Sequence, residues 1–170
     1  KYGVISGGKK IRSTIIFDTG KIFNIDEKKL LHICAAVECI HSYSLIHDDL
    51  PCMDNDEIRR GKPSAHIKFG EASAVLAGSS LLTLAFEIIN DDKYIISYKM
   101  KNEISRSLAS CSGHTGIAEG QELDLKFEKK KKKIHQIIDM QRKKTGKLFN
   151  FCLHAIGVIA KRSSKEKFFL

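Results

Sequence analysis

Five acidic residues, two arginines and two histidines are concentrated between positions 40 and 63, in the stretch IHSYSLIHDDLPCMDNDEIRRGKP. Asp48 and Asp49 are adjacent, Asp54 follows shortly after, and Arg59 and Arg60 come directly behind the acidic run. Oxygen-only ligands suit a hard cation, and Mg²⁺ characteristically takes one or two carboxylates together with substrate phosphates. The forked donors of the arginines match phosphate oxygens. The stretch therefore predicts a metal-bridged diphosphate site.

A long helix has to present the first part of this stretch. From Asp26, an expected N-cap, residues suited to one buried face recur every three or four positions as far as Asp48. Pro51 should end that helix near Asp49. His41 and Asp48 are seven residues apart, two turns along one face, so both should face the same space. Carboxylates at a helix C-terminus are disfavoured by the macrodipole unless a cation compensates them.

A second basic group lies near the start of the chain, in GGKKIR at residues 7–12. Gly7 and Gly8 allow the backbone to approach a ligand closely, and Lys9 and Arg12 fall on one side of a helical turn. The segment lacks the full Walker A spacing, so it does not support a nucleotide P-loop. Alone it is a weak indication of an anion site.

The remaining pattern is helical. The segment at about residues 70–89 is apolar nearly all round, which predicts a central helix of a bundle. Further helical patterns cover about 95–119, 134–140 and 145–160, and STIIF at 13–17 fits a buried helix as well as a strand. The sequence therefore predicts an all-α bundle formed by one domain, residues 1–170.

Composition limits the classes of function. The 170 residues are 42% apolar, which is enough for a buried core, and the net charge of +9 suggests an anionic partner. The lysine run at 129–133 is expected to be a solvated loop, without the interleaved aromatic residues of a nucleic-acid binder. Five cysteines without CxxC spacing indicate buried thiols in a reducing compartment. We expect no stable membrane insertion, because no apolar run looked long enough to span a bilayer, and no secretory signal.

Three segments together resemble one family. The segments GGKKIR, AAVECIHSYSLIHDDLPCMDNDEIRRGKPSAHIKFGEASAVLAG and GHTGIAEGQELDL with KTGKLF are similar to the short-chain trans-prenyltransferases, the bacterial-type farnesyl and geranylgeranyl diphosphate synthases. The match runs in the family's order over most of the chain, and the first aspartate-rich motif, DDxxxxD, is whole. The resemblance implies an isoprenoid-synthase-type helical bundle around a central cavity, incomplete in this chain. It also implies Mg²⁺-dependent condensation of isopentenyl diphosphate with dimethylallyl or geranyl diphosphate.

The resemblance also assigns roles residue by residue. Asp48 and Asp54 match magnesium ligands, with Asp49 as a supporting carboxylate in the same metal set. Arg59 matches the arginine that holds the allylic diphosphate. The residues assigned to isopentenyl diphosphate are Arg60, Lys9, Arg12 and His41. The residues assigned to the allylic substrate and its cation are Lys144, Thr145 and Gln121.

The resemblance allows product length to be argued from side-chain bulk. In this family, a large side chain just before the aspartate pair forms the bottom of the pocket that receives the growing prenyl chain. Tyr43, with the small Ser44 beside it, would block elongation and favour farnesyl diphosphate. The similarity to plastid-type geranylgeranyl enzymes keeps geranylgeranyl diphosphate as the alternative product.

The chain also departs from the family pattern. The second aspartate-rich motif is absent, the opening helix is nearly missing, and Ser13 replaces a usual proline. We therefore expect a fragment cut at both ends, of uncertain activity, from a protein that forms a homodimer. The expected location is the cytoplasm, or an organelle if a transit peptide was lost. A non-catalytic subunit of a heteromeric synthase would lack the aspartates, and a class I terpene cyclase would leave the isopentenyl-binding set without a purpose.

Overall fold

The computed structural model describes residues 1–5 and 7–169, and these residues are almost entirely helical. In the described residues the helices are α1 (Tyr2–Ile5), α2 (Ile11–Ile22), α3 (Glu27–Asp48), α4 (Ala65–Phe69), α5 (Glu71–Asn90), α6 (Tyr98–Ser112), α7 (Ile117–Phe127), α8 (Ile134–Gln141), α9 (Lys147–Ile159) and α10 (Ser164–Phe169). A π-helical turn (Arg142–Gly146) joins α8 to α9, and β1 (Ile58–Arg59) pairs with β2 (Lys62–Pro63). The all-α prediction is confirmed.

Helix α3 begins and ends where the sequence predicts. The Asp26 carboxylate accepts a hydrogen bond from the Lys28 backbone N–H at 2.8 Å, so Asp26 is the N-cap. The last helical residue is Asp48, and Asp49 is the C-cap, two residues before Pro51. The aspartate pair therefore stands at the helix end, and Asp54 is carried by the loop that follows.

Helices α3 and α9 contribute most of the buried core residues. The buried residues of α3 are mainly small or apolar, with Glu38 among them, and α9 buries Leu148, Phe151, Cys152, Ala155 and Ile156. Helix α2, which contains residues 13–17, packs against both of them, and α6 packs against α9. The helical pattern predicted over 95–119 is divided between α6 and α7 by a short turn. The lysine run at 129–133 is the predicted loop, between α7 and α8.

The prediction that the second long helix is central is wrong. Helix α5 packs along α3 through Ala74, Gly78, Ala85 and Ile89, and these are its only buried residues. Leu76 is 68% exposed. A helix that is apolar on all sides is expected to be buried, but its composition does not indicate which of its faces packs against other helices. Among the described residues, α5 packs against α3, α4 and α6, and the part of its surface that carries Leu76 stays exposed.

The expectation that no segment could span a membrane by length is also wrong. Helices α3 and α5 are both long and apolar enough by length and composition. The same composition is found in core helices of soluble proteins, and α3 buries 56% of its most apolar window inside this structure. Composition alone therefore does not separate these helices from membrane spans.

The cysteines differ sharply in exposure, and this predicts selective labelling. Burial raises the pKa of Cys34 to about 11 and the pKa values of Cys111 and Cys152 to about 12, and it also raises the pKa of Cys39. Cys52 is exposed in the loop after α3. Because the thiolate is the reactive form, an alkylating reagent at about pH 8 should modify Cys52 before the other four. Peptide mapping by mass spectrometry checks this, with urea-unfolded protein as the fully labelled control.

Candidate active site

Three carboxylates and one ammonium group meet beyond the C-terminal end of α3. The Lys144 ammonium donates to Asp124 at 2.6 Å and lies 3.8 Å from the Asp54 carboxylate. Asp48 is close enough for its charge to act on the same lysine. These groups come from α3, the loop after it, α7 and the π-helical turn. The tertiary fold therefore gathers carboxylates that are up to 76 positions apart (124 − 48) around one cation.

The electrostatics of this group show that its negative charge is only partly compensated. Burial raises the pKa of Asp48 to about 6, and the neighbouring charges of Asp54 and Asp49 act in the same direction against Lys144. Burial by itself lowers the pKa of Lys144, but its hydrogen bond to Asp124 and the charges of Asp48 and Asp54 raise that pKa overall. A further cation would therefore be favoured here.

Gln121 adds an unpaired oxygen to this group. Its side-chain amide donates to the Asp54 carboxylate at 2.9 Å, while its Oε1 atom is buried without a hydrogen-bond partner among the described residues. A buried acceptor without a donor is costly. Carboxylate and amide oxygens are also the donor set that a hard cation prefers. The residues present therefore fit Mg²⁺.

Two carboxylates, those of Asp49 and Asp56, fix the position of the Arg59 guanidinium. Its Nε and Nη2 atoms both donate to Asp49 Oδ1, the first at 2.9 Å, and Nη2 also donates to Asp56 at 2.9 Å. The Asp49 side chain is only 3% exposed, whereas that of Arg59 is 33% exposed. The bonds to Asp49 raise the pKa of Arg59. In this structure the Asp49 carboxylate is paired with Arg59. The role of Asp49 as a metal ligand stays a prediction.

Arg60 occupies the tight turn of the β1–β2 hairpin, next to the start of α2. Its backbone φ is 54°, in the left-handed region, where non-glycine residues are uncommon outside turns and functional sites. Its guanidinium donates to the Gly7 carbonyl at 2.6 Å and lies 3.4 Å from His41 Nε2. A Cβ at Gly8 would lie 2.8 Å from Arg60 Cζ, so the glycine permits this approach. The two basic segments predicted from sequence therefore form one group.

His41 is kept neutral within this group. Burial lowers its pKa to about 4, and the nearby positive charge of Arg12 acts in the same direction. Because Arg60 can only donate, the neutral ring accepts at Nε2. Arg12 stacks its guanidinium 4.5 Å from the centre of the Phe149 ring, and its buried Nε has no hydrogen-bond partner among the described residues. Arg12 therefore leaves one donor without a partner among the described residues, beside a second guanidinium.

Lys9 is exposed, and its neighbour Lys10 is the lysine that points inward. Lys10 donates to Glu38 at 2.7 Å, and the Ser13 hydroxyl donates to the same carboxylate at 2.8 Å. Sequence reasoning missed both Lys10 and Glu38. The sequence feature that could have indicated this pair is Glu38, a single carboxylate inside the apolar run of α3, because a buried charge needs a partner.

The π-helical turn and α7 together place Lys144. Its neighbour Lys143 bridges Glu119 at 2.7 Å and Asp139 at 2.8 Å, which ties the turn to α7 and α8. π-Helical turns are rare and are frequently found at functional sites. Glu119 and Asp124 on α7 are ion-paired with Lys143 and Lys144 respectively. Their signal was a spacing that places Asp124 on the same helical face as Gln121.

Gly120 allows the backbones of α7 and the π-helical turn to touch. An added Cβ would lie 2.1 Å from the backbone nitrogen of Lys144, which no side-chain rotation can relieve. Gly120→Ala should therefore push Lys144 away from Asp54 and destabilise the protein by about 1–3 kcal/mol. Urea unfolding measures the change. Gly146→Ala in the same turn is the matched control, since its nearest neighbours would lie at 3.9 Å. Equal stability of the two variants would contradict this packing.

The remaining predicted residues lie around the group without joining it. Tyr43 is half-buried and packs edge-on against the His47 ring at 5.3 Å, and the Ser44 hydroxyl donates to the His41 carbonyl. Thr145 is exposed, so the described structure does not bury it beside Gln121. Within residues 1–5 and 7–169, no three carboxylate, histidine or cysteine side chains surround one point closely enough to hold a metal ion unaided.

An all-α bundle with a carboxylate cluster beside two positioned guanidinium groups defines the prenyl-synthase class of protein. The chain belongs to the polyprenyl synthetase family, whose model matches residues 1–169. Sequence relatives include farnesyl diphosphate synthases of Escherichia coli (strain K12), 47% identical over 149 residues, and of Buchnera aphidicola subsp. Acyrthosiphon pisum, 41% identical over 171 residues. They cover 87% and 98% of this chain respectively.

Solved structures agree with the family assignment. An FPP/GFPP synthase from Zymomonas mobilis superposes with a TM-score of 0.94 at 42% identity, and it covers 98% of this chain. The isoprenoid-synthase-type fold predicted from the sequence is thereby confirmed. The chain spans 50% and 59% of the two sequence relatives and 61% of the Zymomonas chain.

Proposed function

We propose that this chain carries the first aspartate-rich half-site of a prenyltransferase of isoprenoid biosynthesis. The proposed reaction is head-to-tail condensation of isopentenyl diphosphate with dimethylallyl or geranyl diphosphate to give farnesyl diphosphate. The observation that carries the proposal is the convergence of Asp48, Asp54 and the half-buried Lys144 beside Arg59. This arrangement offers both a metal-binding pair of carboxylates and fixed cations for a diphosphate leaving group.

Asp48 and Asp54 would hold Mg²⁺, and Asp49 would support the ion by fixing Arg59. Bound Mg²⁺ supplies charge neutralisation and orientation of the leaving diphosphate. Asp49 and Asp56 anchor the Arg59 guanidinium through Nε and Nη2, so Nη1 would donate to phosphate with little further loss of side-chain entropy. Lys144, which donates to Asp124 in this structure, would donate to a diphosphate oxygen of the bound substrate.

Arg60, Arg12 and His41 would bind the diphosphate of isopentenyl diphosphate, with Lys9 at the exposed edge. The neutral His41 ring leaves the positive charge of this group to the two guanidinium groups. The amide oxygen of Gln121 and the hydroxyl of Thr145 would stabilise the allylic carbocation electrostatically. The double bond of isopentenyl diphosphate then attacks that cation, and loss of a proton completes the product.

The direct test uses the complete reading frame that contains this chain. The purified protein is incubated with labelled isopentenyl diphosphate and geranyl diphosphate, with and without Mg²⁺, and the products are analysed as alcohols after phosphatase treatment. Mg²⁺-dependent formation of farnesol is the expected result. A protein that binds both substrates but forms no carbon–carbon bond would instead fit a non-catalytic subunit of a heteromeric synthase.

Tyr43 is expected to limit product length. It is half-buried five residues before Asp48, and its ring is held against His47. Tyr43→Ala removes the ring and should shift the main product from farnesyl to geranylgeranyl diphosphate, which chromatography of the prenyl alcohols measures. Tyr98→Ala, at an exposed tyrosine on α6, is the control. An unchanged product spectrum in the Tyr43 variant would remove the steric basis for the shorter product, and geranylgeranyl diphosphate from the unaltered protein would establish the alternative.

The proposed partners and location follow from the same function. The substrates are soluble diphosphates, so a cytoplasmic enzyme without stable membrane insertion is proposed. The homodimer expected from the resemblance is also a proposal, which light scattering of the complete protein tests.

A further inference from the structure

The run of lysines at residues 129–133, here called the lysine loop, lies beside the candidate active site. The loop connects the end of α7 at Phe127 to the start of α8 at Ile134. A cavity of about 380 Å³ is lined by Lys130 and Lys132 of the loop together with Asp54 and Asp124 of the site. The ammonium groups of the loop and the carboxylates of the site therefore border the same space.

Local contacts hold the lysine loop against the end of α7. The Lys132 ammonium lies 4.8 Å from the centre of the Phe127 ring, and the Lys130 N–H donates to the Phe127 carbonyl at 3.0 Å. In the described part of the chain, the one ion pair of the loop joins Lys129 to Glu128 at 3.9 Å. The remaining ammonium groups are available to a ligand.

We propose that the lysine loop captures the diphosphate group of an incoming prenyl diphosphate and directs it into the cavity beside Asp54. This inference rests on the proposed function. The carboxylates that line the cavity, Asp54, Asp124 and Glu128, repel an approaching diphosphate, whereas the ammonium groups of Lys130 and Lys132 attract it. The positive charge of the lysine loop beside the cavity steers anions towards it, and this attraction extends over a Debye length of about 8 Å in physiological salt.

The position of the loop favours a small diphosphate over a macromolecular partner. Two of its lysines line a cavity of about 380 Å³ shared with acidic residues, and this volume suits a small ligand rather than a polymer. A membrane surface would contact the exposed lysines without using the cavity. The shared cavity lining therefore indicates a ligand that enters the site.

A pair of matched variants tests the proposal in the complete protein. Lys130→Gln/Lys132→Gln removes two loop charges at one exposed and one half-buried position. Lys28→Gln/Lys29→Gln removes two charges of the same exposures at the opposite end of α3, about 30 Å from Asp48. The loop variant should lose about tenfold in kcat/KM for geranyl diphosphate at low salt, with kcat unchanged and a weaker dependence on salt. The control variant should keep the kcat/KM of the unaltered protein.

Binding without turnover separates this inference from the proposed function. Calorimetry with inorganic diphosphate and Mg²⁺ should show weaker binding to the loop variant than to the control. If the unaltered protein forms no prenyl product but this difference remains, the proposed function fails and the capture role of the loop stands. If prenyl transfer occurs and the two variants match in kcat/KM and in diphosphate binding, the inference is overturned. Loss of binding only to vesicles of phosphatidylglycerol would assign the loop to a membrane and overturn it as well.

Discussion

Asp48→Asn should lower the rate of prenyl transfer by about 10³-fold while it makes the metal-free protein more stable. The rate falls because the substitution removes one of the two carboxylates that would hold Mg²⁺. Metal-ion stabilisation of a leaving group contributes several kcal/mol, and each tenfold change in rate corresponds to about 1.4 kcal/mol. Turnover of geranyl diphosphate at saturating Mg²⁺ measures the rate. Asp92→Asn, at an exposed aspartate between α5 and α6, is the control.

The gain in stability has a definite dependence on pH. Burial raises the pKa of Asp48 to about 6 from its ordinary 3.8, so its charged form is disfavoured in the folded state. This carboxyl group therefore costs no stability below about pH 4, and the cost grows as the pH rises towards 6. At about pH 7 the asparagine variant should be more stable by up to about 3 kcal/mol. Urea unfolding at the two pH values measures this, and an equal loss of stability at both would show that Asp48 is structural.

Arg59→Ala should destabilise the fold by about 3 kcal/mol in addition to impairing catalysis. The substitution leaves the buried Asp49 carboxylate without the guanidinium that donates to its Oδ1 atom, and removing one member of a buried ion pair costs about 3–5 kcal/mol. We expect a cost at the lower end of this energy range because the Arg59 side chain is 33% exposed, so water can partly replace it. Urea unfolding gives the change in the free energy of unfolding.

Two further variants separate the structural and catalytic roles of Arg59. Asp49→Asn/Arg59→Gln removes both charges and should recover much of the stability, but not the activity, because no guanidinium is left for the diphosphate. Arg59→Lys keeps one charge but loses the forked geometry, so it should recover only part of either property. Full activity in the double variant would exclude Arg59 from diphosphate binding.

Local sequence determined the elements that carry the site. Asp26 and Pro51 bracket α3 because a cap and a proline act on the backbone within a few residues, whatever the rest of the fold does. The aspartates, both arginines and His41 were identified from residue type and spacing. Helical periodicity gave the all-α bundle, and the family resemblance specified its isoprenoid-synthase type. In contrast, the apolar composition of α5 predicted burial but not which face would be buried. That depended on α3, against which α5 buries Ala74, Gly78, Ala85 and Ile89.

Tertiary structure decided which charged groups became partners. Asp49 and Asp48 are adjacent and equivalent in sequence, yet one faces Arg59 and the other faces Lys144, because neighbouring residues on a helix end point in different directions. Lys10 rather than Lys9 turned inward, towards a carboxylate on another helix. Asp124 and Gly120 acquired their roles only when α7 packed against the π-helical turn. Ion pairs between distant segments depend on the packing of the whole bundle. Residue type and spacing could therefore indicate candidate side chains, but they could not predict which of them would contact each other.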